Sequence, residues 1–463
     1  MNRNDLQDFE NLPQGWEVKS LGEALPLSYG KGLKKTNRIK TGKFAVYGSS
    51  GLVGIHSISL TNKPALIIGR KGSVGEIYFS PRPCWPIDTT YYVEEKNGLY
   101  LPFFLYLLKG LRLGRFDKST AIPGLSRDDY NSIKVVVAPL SIQKQVVGEI
   151  EKQFSRLDEA VTSLKRAKAN LKRYKAAILK AAVEGRLTEQ WRKEHPDVEP
   201  AEKLLQRILA ERRTKWEQAE LAKMKGKGKK PEEGDWRKKY QEPTLPGTIG
   251  FEVPGGWTLG TIKQLSRKVQ YGTSSKAIKE PGGVPILRMG NIVEGELSFD
   301  DLKYLPDDHL EFPEILLEPG DLLFNRTNSP ELVGKSAVFD GVPKPCSFAS
   351  YLIRIQFLSG VEPKLISYFL NSVHGRQWIK SVVSQQVGQA NVNGTKLQSL
   401  SVPLPPLPEQ KEIISIAESR LSIVYRLERE VEINLRRSER LRQSILKKAF
   451  SGQLLRNGVH STI

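Results

Sequence analysis

Residues 150–182 read IEKQFSRLDEAVTSLKRAKANLKRYKAAILKAA, and this stretch decides the fold. Its seam positions alternate four and three residues apart, most of them are apolar, and neither proline nor glycine interrupts them. Such spacing, sustained over more than four heptads, is typical of a coiled-coil helix. The seam positions are Ile150, Phe154, Leu157, Val161, Leu164, Lys168, Leu171, Lys175, Ile178 and Ala182.

The same seam returns 267 positions later in the chain. Its members are Ala417, Leu421, Val424, Glu428, Val431, Leu435, Ser438, Arg442, Ile445 and Ala449. Two matching seams in one chain can pair with each other, so we expect a coiled coil. The alternative is a pair of amphipathic helices that pack on separate cores. Gly185 and Gly452 are suited to the position just after a helix and are predicted to end these two.

The segment that precedes each helix is repeated as well. Leu12–Trp16 (LPQGW) returns as Val253–Trp257 (VPGGW), 241 positions on, whereas Pro139 returns as Pro406, 267 positions on. The second copy is therefore 26 residues longer before its helix, as expected of a variable module on a constant frame.

Each preceding segment has strand-like runs divided by turns rich in glycine and proline, which predicts a module of mixed α and β structure. The predicted strands include Ala65–Ile68, Tyr91–Val93, Val135–Val137, Asp321–Phe324, Tyr351–Ile355 and Leu400–Val402. Short helices are predicted near Pro102–Leu111 and Pro363–Val373. Between the copies, Pro200–Met224 has helical spacing, and Lys225–Gly234 (KGKGKKPEEG) is a low-complexity tether.

The charge of the chain indicates a polyanionic partner. There are 71 Lys and Arg against 51 Asp and Glu, a net charge of +20. The excess favours nucleic acid or an acidic membrane surface, against the alternative of a basic but inert surface. The first residues lack the apolar core of a signal peptide, and no stretch approaches the length of a membrane span. We therefore expect a cytoplasmic protein without membrane contact.

No catalytic constellation is recognisable. The phosphate-binding loop, the dinucleotide fingerprint, the amino-methyltransferase motif and the nucleophile elbow are all absent. Five scattered histidines and two cysteines, Cys84 and Cys346, suit neither a metal site nor a disulfide framework. The two cysteines hold equivalent places in the repeat and are predicted to pack in the core. We expect no catalytic residue, no metal and no cofactor on this chain.

Two similar modules on a helical spacer, in a basic protein without catalytic motifs, indicate a bipartite reader of double-stranded DNA. Phosphates would supply affinity, and base edges would supply specificity through Arg, Lys, Asn and Gln on loops. Candidate contacts in the first module are Lys31, Lys34, Lys35, Arg70, Lys71, Ser73, Arg115, Lys118 and Ser119. Those in the second module are Arg288, Asn291, Arg326, Asn328, Lys335, Gln385, Gln386, Gln389, Asn391 and Asn393.

The layout resembles the specificity subunit of type I restriction–modification systems over essentially the whole chain. Three stretches carry the resemblance: VPLPPLPEQK at 402–411, ILKKAFSGQL at 445–454 and AAVEGRLTEQWR at 181–192. The first copy departs from the family pattern, because Ala138–Gln143 (APLSIQ) replaces the expected Pro-Pro-Leu-x-x-Gln. The departure concerns the details of docking to partners.

The resemblance implies an α+β fold with two mixed α/β target-recognition domains. It also implies that they are joined by two long antiparallel coiled-coil helices with pseudo-twofold symmetry, which set the gap between the half-sites. The expected domains are 1–140 (first recognition domain), 141–193 (central helix), 194–245 (linker), 246–405 (second recognition domain) and 406–463 (distal helix).

The resemblance further implies a sequence-specific DNA-recognition subunit, each domain of which reads half of an asymmetric site. Its partners would be two modification subunits, which use S-adenosylmethionine to methylate adenine, and restriction subunits, which use ATP and magnesium to translocate and cut DNA. Two alternatives remain open: a nucleic-acid-binding regulator outside restriction–modification, and a self-contained nuclease with an unrecognised active site.

Overall fold

The computed structural model describes residues 12–39, 42–96, 98–116, 124–226, 236–386 and 389–455. The chain divides into two compact units. Unit 1 consists of Met1–Ala167 with Glu430–Ile463, and unit 2 consists of Lys168–Arg429. Each unit therefore combines one copy of the mixed α/β module with parts of both long helices.

Unit 1 has mixed α/β structure, as the sequence predicts. Its strands are β1 (Glu17–Ser20), β2 (Ser28–Tyr29), β3 (Phe44–Gly48), β4 (Gly51–His56), β5 (Ala65–Gly69), β6 (Ile77–Ser80), β7 (Cys84–Pro86), β8 (Thr90–Glu94) and β9 (Lys134–Val137). Its helices are α1 (Leu21–Ala24), α2 (Leu101–Leu111), α3 (Arg127–Asn131) and the first part of α4 (Leu140–Val183). These strands form three sheets: a four-stranded antiparallel sheet of order β2-β8-β5-β6, a three-stranded sheet of order β4-β3-β7, and the pair β1-β9.

Unit 2 contains the longer copy of the module. Its helices are the last part of α4, α5 (Glu189–Glu194), α6 (Ala201–Gly226), α7 (Ile262–Leu265), α8 (Pro363–Asn371), α9 (Val373–Val382), α10 (Gly394–Gln398) and the first half of α11 (Leu407–Phe450). Its strands are β10 (Thr258–Thr261), β11 (Ser266–Tyr271), β12 (Val284–Leu287), β13 (Ile292–Val293), β14 (Glu296–Leu297), β15 (Lys303–Leu305), β16 (Leu322–Asn325), β17 (Thr327–Asn328), β18 (Ser336–Val338), β19 (Ser347–Phe348), β20 (Leu352–Phe357), β21 (Ser384–Gln386), β22 (Gln389–Asn391) and β23 (Ser401–Leu404).

The sheets of unit 2 repeat those of unit 1. The four-stranded sheet β11-β20-β16-β18 corresponds to β2-β8-β5-β6, and the pair β10-β23 corresponds to β1-β9. In the three-stranded sheets, β12 pairs in parallel with β19 as β3 does with β7. The second copy adds the small sheets β13-β14 and β17-β22-β21. The internal repeat is thus a repeat of topology as well as of sequence.

The two long helices run antiparallel where they meet in each unit. In unit 1 the early part of α4, with Phe154 and Leu157, shares a core with Ile445 and Phe450 near the end of α11. In unit 2 the late part of α4, with Ile178, shares a core with the early part of α11. The predicted coiled coil is confirmed, in preference to helices on separate cores.

One polar seam position is buried with charged and aromatic partners. The Lys175 ammonium lies 4.4 Å from the centre of the Tyr425 ring and 3.1 Å from a carboxylate oxygen of Glu294. The carboxylate and the aromatic face together compensate for the water that this lysine loses on burial. A lysine can therefore replace an apolar residue in the seam.

Glycines end both helices, as predicted. Gly185 and Gly452 have φ angles of 71° and 73°, in the left-handed region that favours glycine. A Cβ on Gly185 would lie 2.6 Å from Pro254, and a Cβ on Gly452 would lie 2.3 Å from Pro13. The proline of each repeated entry motif thus packs on the glycine that ends a long helix in the same unit. The sequence had placed the central helix at 141–193, but Gly185 divides that range, and α5 is a separate helix.

Other sequence predictions can be compared with the described residues. The predicted helix at Pro200–Met224 is α6, and residues 227–234 of the predicted tether lie outside the described part. Cys84 and Cys346 are buried, and burial raises the pKa of both thiols, that of Cys346 to about 12. Among the described residues, no helix is both long enough and apolar enough to cross a membrane.

A buried carboxylate ties α11 to the entry motif of unit 2. Glu409 is 1% exposed. Its oxygens accept hydrogen bonds from Trp257 Nε1 at 2.8 Å, Thr188 Oγ1 at 2.7 Å and Arg192 Nη1 at 2.5 Å. A buried carboxylate is tolerated when its oxygens are satisfied and a cation lies beside it.

We predict that Glu409→Ala destabilises the protein by about 3 kcal/mol, because it leaves a half-buried arginine and a buried indole and hydroxyl without their acceptor. Glu409→Gln should cost less, because it retains an acceptor oxygen. Denaturant unfolding followed by tryptophan fluorescence measures the change. The control is Glu418→Ala on the same helix, which removes an exposed ion pair with Lys364 and should cost less than about 1 kcal/mol. Equal losses at Glu409 and Glu418 would contradict the prediction.

Candidate nucleic-acid interface

Several loops of unit 1 meet at one end of its four-stranded sheet. The segment 86–90, between β7 and β8, accepts backbone hydrogen bonds from Gly30, Lys31 and Arg70 at 2.9–3.0 Å. Gly30 approaches this segment so closely that a Cβ would lie 2.0 Å from the Ile87 carbonyl oxygen, so only glycine fits. The predicted contacts Lys31 and Arg70, which come from separate loops, are therefore brought together.

The Arg70 side chain lies over two tyrosine rings, one half-exposed and one buried. Its guanidinium carbon is 5.1 Å from the centre of the Tyr29 ring and 5.6 Å from that of Tyr91. Nη1 donates to the Asp88 carbonyl oxygen at 3.2 Å. Arg127 lies 5.6 Å from the same Tyr29 ring, which is 50% exposed. Two cations on one partly exposed ring make a positively charged, planar surface, and each such contact is worth about 0.5–1 kcal/mol.

Unit 2 has the same arrangement at the equivalent place. The Arg326 guanidinium carbon is 4.7 Å from the centre of the Tyr271 ring, which is 43% exposed. Nη1 donates to the Ser350 carbonyl oxygen at 3.5 Å. The Tyr271 hydroxyl accepts from the Gly394 backbone N–H at 2.7 Å. Gly394 takes the place of Arg127 in the repeat, so a backbone N–H here replaces the second guanidinium of unit 1.

Equivalent backbone hydrogen bonds hold both arginines. The N–H of Arg70 donates to Thr89 and its carbonyl accepts from Leu125, each at 2.9 Å. The N–H of Arg326 donates to Tyr351 at 3.0 Å, and its carbonyl accepts from Val392 at 2.9 Å. Because these bonds involve only the backbone, they persist although most of the surrounding side chains differ. We call Arg70 with Tyr29, and Arg326 with Tyr271, the arginine–tyrosine pairs.

The sequence predicted the two arginines but not their aromatic partners or Arg127. A signal for the tyrosines is present. Tyr29-Gly30 returns as Tyr271-Gly272, 242 positions on, one position out of step with the entry motif. In both copies the glycine has the close approach that only glycine permits, since a Cβ on Gly272 would lie 2.2 Å from a carbonyl oxygen.

The other predicted contacts of unit 1 that the structure describes lie in the loops of Lys31 and Arg70 or in a turn beside the loop of Arg70. Lys34 and Lys35 are exposed in the loop after β2, as Lys31 is, and Lys71 is exposed beside Arg70. Ser73 is partly exposed in the same loop as Lys71. Arg115 is exposed in the 3-10 turn Leu113–Phe116. This turn packs closely on the loop that follows β5, since a Cβ on Gly75 of that loop would lie 2.2 Å from Gly114 N. The predicted contacts Lys118 and Ser119 lie outside the described residues.

In unit 2 a cleft of about 710 Å³ gathers four predicted contacts, Arg288, Asn291, Asn328 and Lys335. Two cations that the sequence analysis did not select, Lys276 and Lys303, also line it. Asp300 and Asp301 lie on its wall, so the cleft offers both hydrogen-bond donors and acceptors.

Two predicted contacts have structural tasks instead. Asn291 is 3% exposed; its Oδ1 accepts from Arg288 N at 2.9 Å, and its Nδ2 donates to the carbonyl oxygens of Ser298 and Asp300. Its amide holds the loop together and is not free to meet a base. Asn393 caps α10, and its Oδ1 accepts from Lys396 N at 2.8 Å. Asparagine is common at such caps because its side chain satisfies an unpaired N–H of the first turn.

The remaining predicted contacts of unit 2 are partly engaged. Arg288 pairs with the Asp301 carboxylate at 3.1 Å. Asn328 Oδ1 accepts from Ser329 N, and Asn391 Nδ2 donates to Thr327 Oγ1 at 2.7 Å. The backbones of the three predicted glutamines lie in β21 and β22, and their side chains lie outside the described part; they are Gln385, Gln386 and Gln389.

Comparison with known proteins gives one consistent result. A family model described as the type I restriction modification DNA specificity domain matches residues 13–173 and 254–435. The specificity subunit of the type I restriction enzyme EcoKI, from Escherichia coli K12, is 24% identical; the alignment covers 96% of this chain and 90% of that protein. The MjaVIII specificity subunit of Methanocaldococcus jannaschii is 22% identical, with coverage of 96% and 94%.

A solved structure supports the same fold. It comes from work on the complex assembly and conformational transition of the type I R-M system. The TM-score is 0.62 at 16% sequence identity, and the match covers 96% of this chain and 99% of that one. Since the family model matches most of the chain, once in each copy of the repeat, this chain belongs to the family of the type I restriction modification DNA specificity domain.

Proposed function

We propose that each unit reads one half of an asymmetric, interrupted DNA site, and that its arginine–tyrosine pair lies at the centre of the contact. The observation that carries this proposal is the presence of the same pair, on the same backbone hydrogen bonds, at equivalent places in both units. A guanidinium held over an aromatic ring is ordered before binding, so less side-chain entropy is lost when it meets a base edge or phosphate.

The surroundings of the two pairs differ, which suits two different half-sites. The loops of unit 1 are rich in lysine, so they suit phosphate contacts. The cleft of unit 2 combines Arg288, Asn328 and Lys335 with the carboxylates of Asp300 and Asp301. Carboxylates accept hydrogen bonds from cytosine and repel phosphate, so this cleft suits base edges.

The long helices, each 44 residues, would set the gap between the half-sites. A helix of that length spans about 66 Å. The chain would act without catalytic residues or cofactors of its own, alongside two modification subunits and the restriction subunits. S-adenosylmethionine, ATP and magnesium would be used by those partners. Family membership favours this function over a regulator outside restriction–modification.

Deletion of the gene should abolish one bipartite adenine-methylation motif in a host that expresses the modification subunit. Methylome sequencing with and without the gene measures this, and complementation with the intact gene is the control. If every motif persists after deletion, the chain does not direct methylation.

Substitution of the arginine in either arginine–tyrosine pair should reduce sequence discrimination in one half of the methylation motif, and a different half for each arginine. Arg70→Ala should lose discrimination at positions of one half-site and Arg326→Ala at positions of the other, each by about 1–3 kcal/mol per base. Methylation rates of the reconstituted complex on duplexes with single base changes measure the effect.

Arg82→Ala is the matched control for Arg70→Ala. Arg82 is exposed and follows β6, whose end pairs with the start of β5, so it lies at the opposite end of the sheet from Arg70. This variant should keep full discrimination. Relaxation of the same half-site by both Arg70→Ala and Arg326→Ala would contradict the assignment of one half-site to each unit.

Lengthening both long helices should lengthen the spacer of the DNA site. Four residues inserted after Ala167 and four after Val431 add about 6 Å to each helix, roughly two base-pair steps. Methylome sequencing of the doubly extended variant should show a longer spacer or loss of methylation. The same insertion after Lys229, in the linker, should leave the motif unchanged. An active, doubly extended variant with the original spacer would show that the helices do not set the gap.

A further inference from the structure

We infer that unit 1 carries an open helix-binding cleft that a basic amphipathic helix of the modification subunit fills. The inference rests on the proposed assembly with modification subunits and names where one of them docks. The cleft has a volume of about 380 Å³ and is lined by residues that include Gly15, Glu17, Glu23, Ala24, Gly98 and Gln143. We call it the α1 cleft.

Unit 2 shows what fills the equivalent place. There α6 packs on α7 and β10, the counterparts of α1 and β1. The N–H of Ala201, its first residue, donates to the Gly256 carbonyl oxygen at 2.8 Å. Leu204 and Ile208 are buried in the core of unit 2 beside Leu265. The helix face that packs at this place in unit 2 therefore consists of a small residue, Ala201, and of aliphatic residues three and seven positions later.

Among the described residues, no helix covers the counterparts in unit 1, which are exposed or half-buried. Gly15 and Ala24, which line the α1 cleft, take the places of Gly256 and Leu265. Gly98 takes the place of Gly360. A Cβ on Gly360 would lie 2.8 Å from Leu204 of α6, whereas a Cβ on Gly98 would have no described atom within 4 Å. In the part of unit 1 that the structure describes, no helix occupies this place.

A buried acceptor in the α1 cleft also lacks a partner in the part of the chain that the structure describes. In unit 2, Gln410 Oε1 accepts from Glu362 N at 2.9 Å, and its Nε2 donates to Gly360 O and Pro405 O, each at 3.0 Å. Its counterpart Gln143 is 5% exposed, and its Nε2 donates to Ala138 O at 2.8 Å. Among the described residues, the Oε1 of Gln143 has no hydrogen-bond partner. In unit 2 the donor is a backbone N–H of the module itself and not of α6. An unsatisfied buried acceptor is costly, so in unit 1 a donor from a docking chain would stabilise Gln143 in a way that α6 does not in unit 2.

Charge identifies the kind of helix that fits. Glu17, Lys19 and Glu23 line the α1 cleft with a net charge of −1, whereas their counterparts Thr258, Gly260 and Gln264 are uncharged. Glu17 and Lys19 form an ion pair at 2.7 Å, so the Glu23 carboxylate carries the excess charge. A docking helix should therefore carry Lys or Arg beside its small and aliphatic residues. Because α6 already covers the equivalent place in unit 2, the two modification subunits would dock differently on the two units.

Site-directed alkylation tests the inference, because both native cysteines are buried. The Ala24→Cys variant of the full chain should react with a maleimide at least tenfold more slowly when saturated with the modification subunit. The matched control is Val18→Cys. Val18 is 44% exposed on the neighbouring strand and is absent from the lining of the cleft, so its reaction rate should change less than twofold.

A second variant tests the same cleft by filling it. Ala24→Trp should weaken binding of the modification subunit at least tenfold and leave the melting temperature of the free chain unchanged, because the added ring enters an open cleft. Unchanged affinity together with unchanged alkylation of the Ala24→Cys variant would overturn the inference.

The outcomes separate this inference from the proposed function. If a methylation-active complex forms and the Ala24→Cys variant is not protected, the α1 cleft is not a docking site although the function stands. Equal protection of the Ala24→Cys and Val18→Cys variants would indicate a broad contact and would also overturn the inference. If no complex forms with the unsubstituted chain, both proposals fail.

Discussion

The structure depends on the closure of each core by two helix segments that are distant in sequence. In unit 1, Ile150 and Phe154 from the start of α4 pack with Ile445 and Phe450 from the end of α11. These contacts join residues that are separated by almost 300 positions, and they form only when the two seams pair. Neither copy of the repeat is therefore a complete folding unit within its own continuous segment. The heptad pattern is therefore needed to complete the core of each module as well as to pair the two long helices.

The sequence predicted the elements whose residue types or spacing follow directly from their structural role. The seams repeat every seven residues, the buried strand β5 is a continuous apolar run, and the glycines suit the left-handed conformation that ends a helix. Lys175 shows the limit of this approach. A lysine at a seam position gives no indication of its partners, and Glu294, which binds it, comes from a loop 119 positions away.

The candidate site was only partly predictable, for a related reason. Residue type indicates that Arg70 and Arg326 could bind DNA. By the same criterion Asn291 and Asn393 are candidates, but their side chains form hydrogen bonds with backbone groups of the protein instead. The distinction depends on which N–H and carbonyl groups lie nearby, and those come from segments that pair only in the folded chain. The two tyrosines give a weaker signal, because aromatic residues are common in strands, and only the repeated Tyr-Gly pair distinguishes them in the sequence.

The pattern of conservation between the two copies suggests how such a protein can change its target. Arg70 and Arg326 are positioned by backbone hydrogen bonds, and backbone groups are retained when side chains are substituted. The residues around them are less constrained: Asp88 corresponds to Ser350, and Arg127 corresponds to Gly394. A substitution at these positions alters the surface offered to DNA without moving the arginine. The duplicated chain would thus keep one positioned cation in each unit while its two surroundings diverged, so that two similar modules come to suit different half-sites.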